Sequence, residues 1–377
     1  MSLPSSFEPK PEHPSLLPTL RGDGESHTED YHGFESHRAP RDATSTWKPQ
    51  SSPHTNKGEA IASASSACSP MSDTQPPIKP KFWRIHGIKT SERDAAWTWL
   101  QEQVTLEGLR LSEDQGFSLA QYDGETLCAT LTAVERPTIP QRKPPWQVEE
   151  FFYGLTPVSD PEGAEVDIVA VTGLGGHALG SFRSNDNGAV VWLRDFAPVD
   201  VPKARFLTYG YDTKLADSDS TQGIAHLAQL LFHHLGAFRR NTCTSHRPLV
   251  FVCHSLGGLV LKEALVRSER LEQNTEVASA TFGLIMLGVP NLGLNHRQLE
   301  DAVKDQPNSG FVRDLVVTSS GQPSQLSNSL KDNFAHFAKY RDPPLQIVSF
   351  FETLQSLTLV RLCVILDVVR SLIQNRY

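Results

Sequence analysis

The 377-residue sequence is short of cysteine, of long apolar runs and of basic charge, and each shortage closes off a class of protein. Its five cysteines, Cys68, Cys128, Cys243, Cys253 and Cys363, stand far apart with no CxxC spacing. That argues against a disulfide framework and a thiolate metal site, and fits a reducing compartment. No uninterrupted apolar run approaches the roughly 20 residues of a membrane-spanning helix, so no integral membrane span is predicted. The opening Met1-Ser2-Leu3-Pro4 has neither the basic cap nor the apolar stretch of a secretory leader. Lys and Arg total 35 against 43 Asp and Glu, a formal net charge of -8, which leaves no basic face for nucleic acid. Hydrophobic residues make up 38% of the chain, low for one folded throughout, so part of it is predicted to lie outside any core. Histidine occurs 14 times, yet none follows His336.

Composition divides the chain. Residues 1–79 are rich in Ser, Pro, His and charge and are predicted to form a disordered arm. The irregular spacing of His13, His27, His32 and His37 fits no metal-ligand pattern. Over 80–134 a strand at Phe82–Ile88, a helical pattern at Ala95, Trp97, Leu100 and Val104, and strands at 117–120 and 126–134 give a small β-α-β-β module. The order resembles part of a ferredoxin-like or RNA-recognition sheet, but the third strand has no aromatics to stack bases, so a packing module is expected. Pro137, Pro140, Pro144 and Pro145 mark 135–149 as a linker. From 150 to 353, strands at 166–171, 204–211, 249–254, 280–287 and 345–352 alternate with helical patterns, which predicts an α/β fold with a mostly parallel sheet covered on both faces.

The stretch Leu249-Val250-Phe251-Val252-Cys253-His254-Ser255-Leu256-Gly257-Gly258 reads as a buried strand, a sharp turn and a helix start. In G-x-S-x-G the small residues two before and two after the serine let the chain turn tightly, exposing the hydroxyl above the sheet. Cys253 replaces the first glycine, and a thiol is only modestly larger than a methyl.

Val171-Thr172-Gly173-Leu174-Gly175-Gly176-His177, Trp192-Leu193-Arg194-Asp195, Tyr209-Gly210-Tyr211-Asp212, Cys253-His254-Ser255-Leu256-Gly257-Gly258 and Gly288-Val289-Pro290-Asn291 occur in an order that resembles one family. It is that of fungal α/β-hydrolases similar to the serine-active-site-containing proteins and, more distantly, to GPI inositol-deacylases and lipase-like esterases. The resemblance implies a Ser, acid, His triad with Ser255 as nucleophile and Glu352 as acid, and oxyanion donors at the Leu174 and Leu256 amides. Thr172, Gly173, His177 and Asn291 would line the site, and the substrate would be an ester, often lipidic. No metal and no cofactor are implied.

Three departures stand out. The family has His-Gly where this chain has Thr172-Gly173, and Thr-Pro-His where it has Val289-Pro290-Asn291. The third is the base: the histidine expected after Glu352 is absent, and the tail 354–377 is apolar and atypical, consistent with a C-terminally truncated fold. His177, His254, His296 and His336 are the remaining candidates, each in an unusual place for a base. The tail reads either as a helix over the sheet edge or as a replacement strand. Two functions follow: a serine esterase or lipase impaired by the missing base, or a non-catalytic interaction module with a protein partner. The expected location is cytoplasmic, with a peripheral position at mitochondrial or endoplasmic-reticulum membranes as the alternative.

Overall fold

The computed structural model describes residues 80–106, 115–141, 145–184, 190–212, 214, 219–294 and 297–351, all in the second of two units, Ser72–Tyr377. The arm expected over 1–79, the tail over 354–377, Glu352 and His296 lie outside the described residues.

The first element group is β1 (Lys81–Lys89), α1 (Arg93–Leu106), β2 (Phe117–Gln121) and β3 (Thr126–Ala133), in the expected order. A fourth strand, β4 (Gln147–Glu149), completes an antiparallel sheet of order β2-β3-β1-β4. This corrects the reading of 135–149 as a linker. The prolines cover only the approach, after which Val148 pairs with Ile85 and buries its side chain. Trp146 anchors the turn: it is 1% exposed, meets Trp99 edge-on at 5.6 Å, and donates its indole N–H to Glu92 Oε2 at 3.1 Å.

The main sheet contains β5 (Gly154–Ser159), β6 (Val166–Val171), β7 (Ala204–Gly210), β8 (Leu249–His254), β9 (Thr281–Leu287) and β10 (Gln346–Phe350). Its order is β10-β9-β8-β6-β7-β5, parallel throughout except for β5, which runs against β7. The parallel order with its antiparallel neighbour, and the helix springing from a serine turn after β8, are those of an α/β-hydrolase. Strands β6 to β9 are apolar on both faces because both are covered. One face, carrying Val169, Val171, Phe251, Leu284 and Met286, packs against α4 (Ile224–Asn241), α5 (Leu256–Leu271) and α9 (Gln325–Tyr340). The other, carrying Ile168, Ala170, Val250, Val252 and Ile285, packs against the short helices Trp192–Asp195 and Ala197–Asp200 and against Phe82 of β1. The chain leaves β6 for β7 on one side and returns to β8 on the other, so the direction of the strand order switches between β6 and β8, whose C-terminal loops are neighbours. No helix among the described residues is long and apolar enough to cross a membrane.

Buried charge joins the two sheets. Arg84 of β1 donates to Glu149 Oε1 at 2.9 and 3.1 Å, to Thr156 Oγ1 at 2.8 Å and to the Tyr153 carbonyl at 3.0 Å. The Trp-Leu-Arg-Asp motif does the same from the other side. Arg194 and Asp195, with side chains 0% exposed, form a bidentate pair; Arg194 reaches Thr132 Oγ1 of β3 at 3.0 Å, and Asp195 accepts the Gly116 amide at 3.2 Å. That sequence landmark is thus a joint between module and main sheet.

At the end of the sheet opposite those loops, Asp167 of β6 is fully buried among three arginines. Arg205 binds it through two bonds of 2.8 Å, Arg239 through one of 2.8 Å and Arg247 through one of 3.0 Å, tying β6, β7, α4 and the approach to β8. Removing one member of a buried ionic group leaves the others uncompensated. Asp167→Asn, which strands three guanidinium groups, is expected to lower unfolding free energy by about 3–5 kcal/mol in urea denaturation.

Candidate functional site

The central side chain is Ser255, at the junction of β8 and α5. Its backbone has φ 49° and ψ -122°, a region an L-residue occupies at a cost of about 1–3 kcal/mol. Two contacts hold it there. The Ser255 amide donates to the Leu287 carbonyl at the end of β9 at 2.9 Å, and the Gly258 amide donates to the Ser255 carbonyl at 3.1 Å. Although Ser255 occupies the position before the helix, its hydroxyl does not cap it, so the hydroxyl remains available. Cys253 is fully buried in the core beneath, and burial pushes its thiol pKa far up. It is a packing group.

The loop after β6 lies directly against this turn. Cys253 pairs with Val171, which brings residues 172–174 alongside 255–257. A Cβ on Gly257 would stand 2.5 Å from the Thr172 carbonyl oxygen and 2.6 Å from that of Val171, and one on Gly173 would stand 2.9 Å from Ser255 Cβ. Both approaches require glycine. A Cβ on Gly258 would fall inside the side chain of Val289, so the loop after β9 also closes on the helix start. Thr172 is fully buried: its hydroxyl shares a hydrogen bond of 2.5 Å with Ser181, and its carbonyl accepts from Tyr211 Oη at 2.8 Å. Among the described residues no acceptor meets the Leu174 or Leu256 amide N–H. Leu256 opens a 16-residue helix, whose N-terminal partial positive charge favours developing anionic charge at this spot.

The sequence-predicted histidines go elsewhere. Among the described residues none is hydrogen-bonded to Ser255 Oγ. His177 donates from Nε2 to the Glu150 carbonyl at 2.9 Å and accepts at Nδ1 from the Leu179 and Gly180 amides at 3.1 and 2.9 Å, so both nitrogens serve the backbone. Burial lowers its pKa below the ordinary 6.5. His177, expected in a site-lining or structural role, has both ring nitrogens engaged by the backbone. His254 has its Nδ1 beside Gly173, 3.0 Å from where a Cβ would stand. His336 lies exposed on α9, its ring 4.7 Å from that of Tyr340. Asn291 is also exposed, and its amide oxygen accepts from Lys262 Nζ of α5, whose pKa burial lowers. Phe350, two residues before Glu352, accepts the Gly288 amide at 2.8 Å, so β10 ends beside the loop after β9.

Sequence reasoning missed Ser181 and the locking role of Tyr211. Ser181 sits in a short turn with no motif; Tyr211 stood inside a recognised landmark whose hydroxyl contact only the fold supplies.

No family model matches the chain. It is similar to Protein SERAC1 of Bos taurus, 28% identical over 248 residues, covering 60% of this chain and 35% of that protein. Protein SERAC1 of Homo sapiens is 26% identical over 209 residues, covering 50% and 30%. The chain thus spans about a third of the length of the curated relatives it matches. Among solved structures, Bacillus licheniformis lipase BlEst2 aligns at TM-score 0.29 and 18% identity over 52% of this chain and 70% of its own. A type II thioesterase, YbtT, aligns at TM-score 0.26 and 18% identity over 48% and 66%.

The glycine contacts give a paired test. Gly257→Ala is expected to cost about 1–3 kcal/mol in chemical denaturation, because backbone oxygens cannot retreat from the new methyl. Gly310→Ala, in a helix with open space around it, is expected to gain up to about 1 kcal/mol.

Proposed function

We propose that the chain carries an ester-hydrolase site in which Ser255 is the nucleophile, the Leu174 and Leu256 amides receive the oxyanion and Glu352 is the acid. The substrate is a carboxylic ester, lipid esters included, met in solution or at a membrane surface. The observation that carries this is the strained Ser255 backbone at the head of α5 with Gly173 pressed against its Cβ. A serine is held in such a conformation only by surroundings that over-determine it.

In acyl transfer Ser255 Oγ adds to the ester carbonyl carbon, the carbonyl oxygen becomes anionic toward the two amides, and the hydroxyl proton passes to a base. Among the described residues no histidine is hydrogen-bonded to that hydroxyl. Without a base the oxyanion donors and binding alone supply a residual acceleration of about 10³–10⁴ over water, several orders below a complete triad. The same observation favours a second reading, a hydrolase-derived module that binds a protein partner and releases no product.

A fluorophosphonate probe with peptide mapping separates the two. The ester-hydrolase reading expects slow labelling at Ser255, abolished by Ser255→Ala, with short-chain acyl esters hydrolysed weakly. Equal labelling of the parent and Ser255→Ala contradicts it.

A further inference from the structure

The module at the N-terminal side of the described chain meets the loop after β6 at the rings of His177 and Phe82. His177 lies between Phe82 of β1, at 5.6 Å, and Phe152, the residue two before β5, at 4.7 Å and edge-on. Its Nε2 donates to the carbonyl of Glu150, the residue next to β4, while Glu150's carboxylate pairs with Lys81 of β1 at 2.9 Å. On its other side Nδ1 accepts from Leu179 and Gly180, and Gly180 sits so close to Phe82 that a Cβ there would be 3.1 Å from the ring. The loop is closed upon itself by the Gly176 amide donating to the Gly173 carbonyl at 3.1 Å and by the Thr172–Ser181 bond. A cleft of about 360 Å³ runs along this seam, lined by Lys81, Phe82, Glu150, Gly175, Gly176 and Arg183 among others. From the main sheet the same segment is held by Ala178 and Leu179, buried in the core cluster beneath β6 and β8, and by the Thr208 hydroxyl donating to the Ala178 carbonyl; from the module it is held by His177 and the ring of Phe82.

We propose that His177 is a positioning residue through which the β1–β4 module sets the loop bearing Leu174, and so the geometry of the oxyanion pocket. This rests on the reading of Leu174 as an oxyanion donor. The chemistry of the ring makes the coupling conditional. Nε2 faces a carbonyl and carries the proton; Nδ1 faces two N–H groups and must keep its lone pair. Protonation would set an N–H against two N–H donors and release the loop from the module. The charged groups facing the ring are the Glu150 carboxylate, which favours protonation, and Arg84 and Arg183, which oppose it together with burial. Because the folded pKa is below the unfolded 6.5, the unfolded state binds more protons in this range. The lock is complete above pH 6.5 and is lost as pH falls through the folded pKa, which lies below that value.

The test uses the full chain, His177→Leu, which fills the space without hydrogen bonds, and His177→Asn, which keeps an acceptor for the Leu179 and Gly180 amides. Hydrogen exchange by mass spectrometry is followed over 172–181 from pH 7.5 downward, with fluorophosphonate labelling of Ser255 alongside. The expected result is faster exchange in His177→Leu confined to 172–181, with labelling slowed at least about tenfold, as for a displaced oxyanion donor. The parent should lose protection over 172–181 as pH is lowered from 7.5 through the folded-state pKa of His177, which burial places below 6.5, and His177→Asn should hold intermediate protection with no such pH step. Exchange over 172–181 that is unchanged in His177→Leu, or raised equally throughout the sheet, overturns the proposal. If the parent exchanges as expected but never labels, the proposal for the loop stands and the nucleophile reading fails.

Discussion

The contact of Gly257 with the carbonyl oxygens of Val171 and Thr172 is the constraint on which the rest of the site depends. It lets the first turn of α5 touch the loop leaving β6, which brings Ser255 and residues 172–174 to one point. The parallel sheet makes this possible: β6 and β8 are neighbours whose connecting helices depart to opposite sides, so their C-terminal loops meet directly. The buried Asp167 and its three arginines fasten the other ends of the same strands, and the register Asp167–Leu249 to Val171–Cys253 transmits that alignment along the sheet. A close approach of two backbones leaves no room for side chains. Glycine at 173 and 257 is the result.

The module shares its core and its ion pairs with the main sheet. Phe82 belongs to the apolar cluster under β6 and β8, and Arg84 and Arg194 each span the boundary with their guanidinium groups buried. A guanidinium satisfied by a carboxylate, a hydroxyl and backbone carbonyls fixes direction as well as distance, which an apolar contact alone does not. The module therefore presents Phe82 and Glu150 to His177 in a set orientation.

Much of this was legible in the sequence, and the failures have physical causes. The strands from β6 to β9 announced themselves because burial on both faces demands apolar runs. The turn at Ser255 was readable because only small residues fit it. β5 was not readable: Gly154-Leu155-Thr156-Pro157-Val158-Ser159 contains a proline, and the register breaks between Pro157 and Ser159, as an outermost antiparallel strand permits. β4 is three residues long and owes its existence to pairing with β1, a partner 60 or so residues away that no local pattern reveals. The partners of His177 were not foreseen, since backbone carbonyls and amides leave no mark on composition. Glu352, the expected acid, falls outside the described residues.

The central claim is that the Ser255 hydroxyl and the Leu174 and Leu256 amides converge on one developing oxyanion. A crystal structure of the fluorophosphonate adduct tests it most directly. The account predicts phosphorus bonded to Ser255 Oγ, with one phosphoryl oxygen about 2.7–3.1 Å from both amide nitrogens. An adduct whose oxygens all point away from the Leu174 amide, or one formed at another residue, would contradict it.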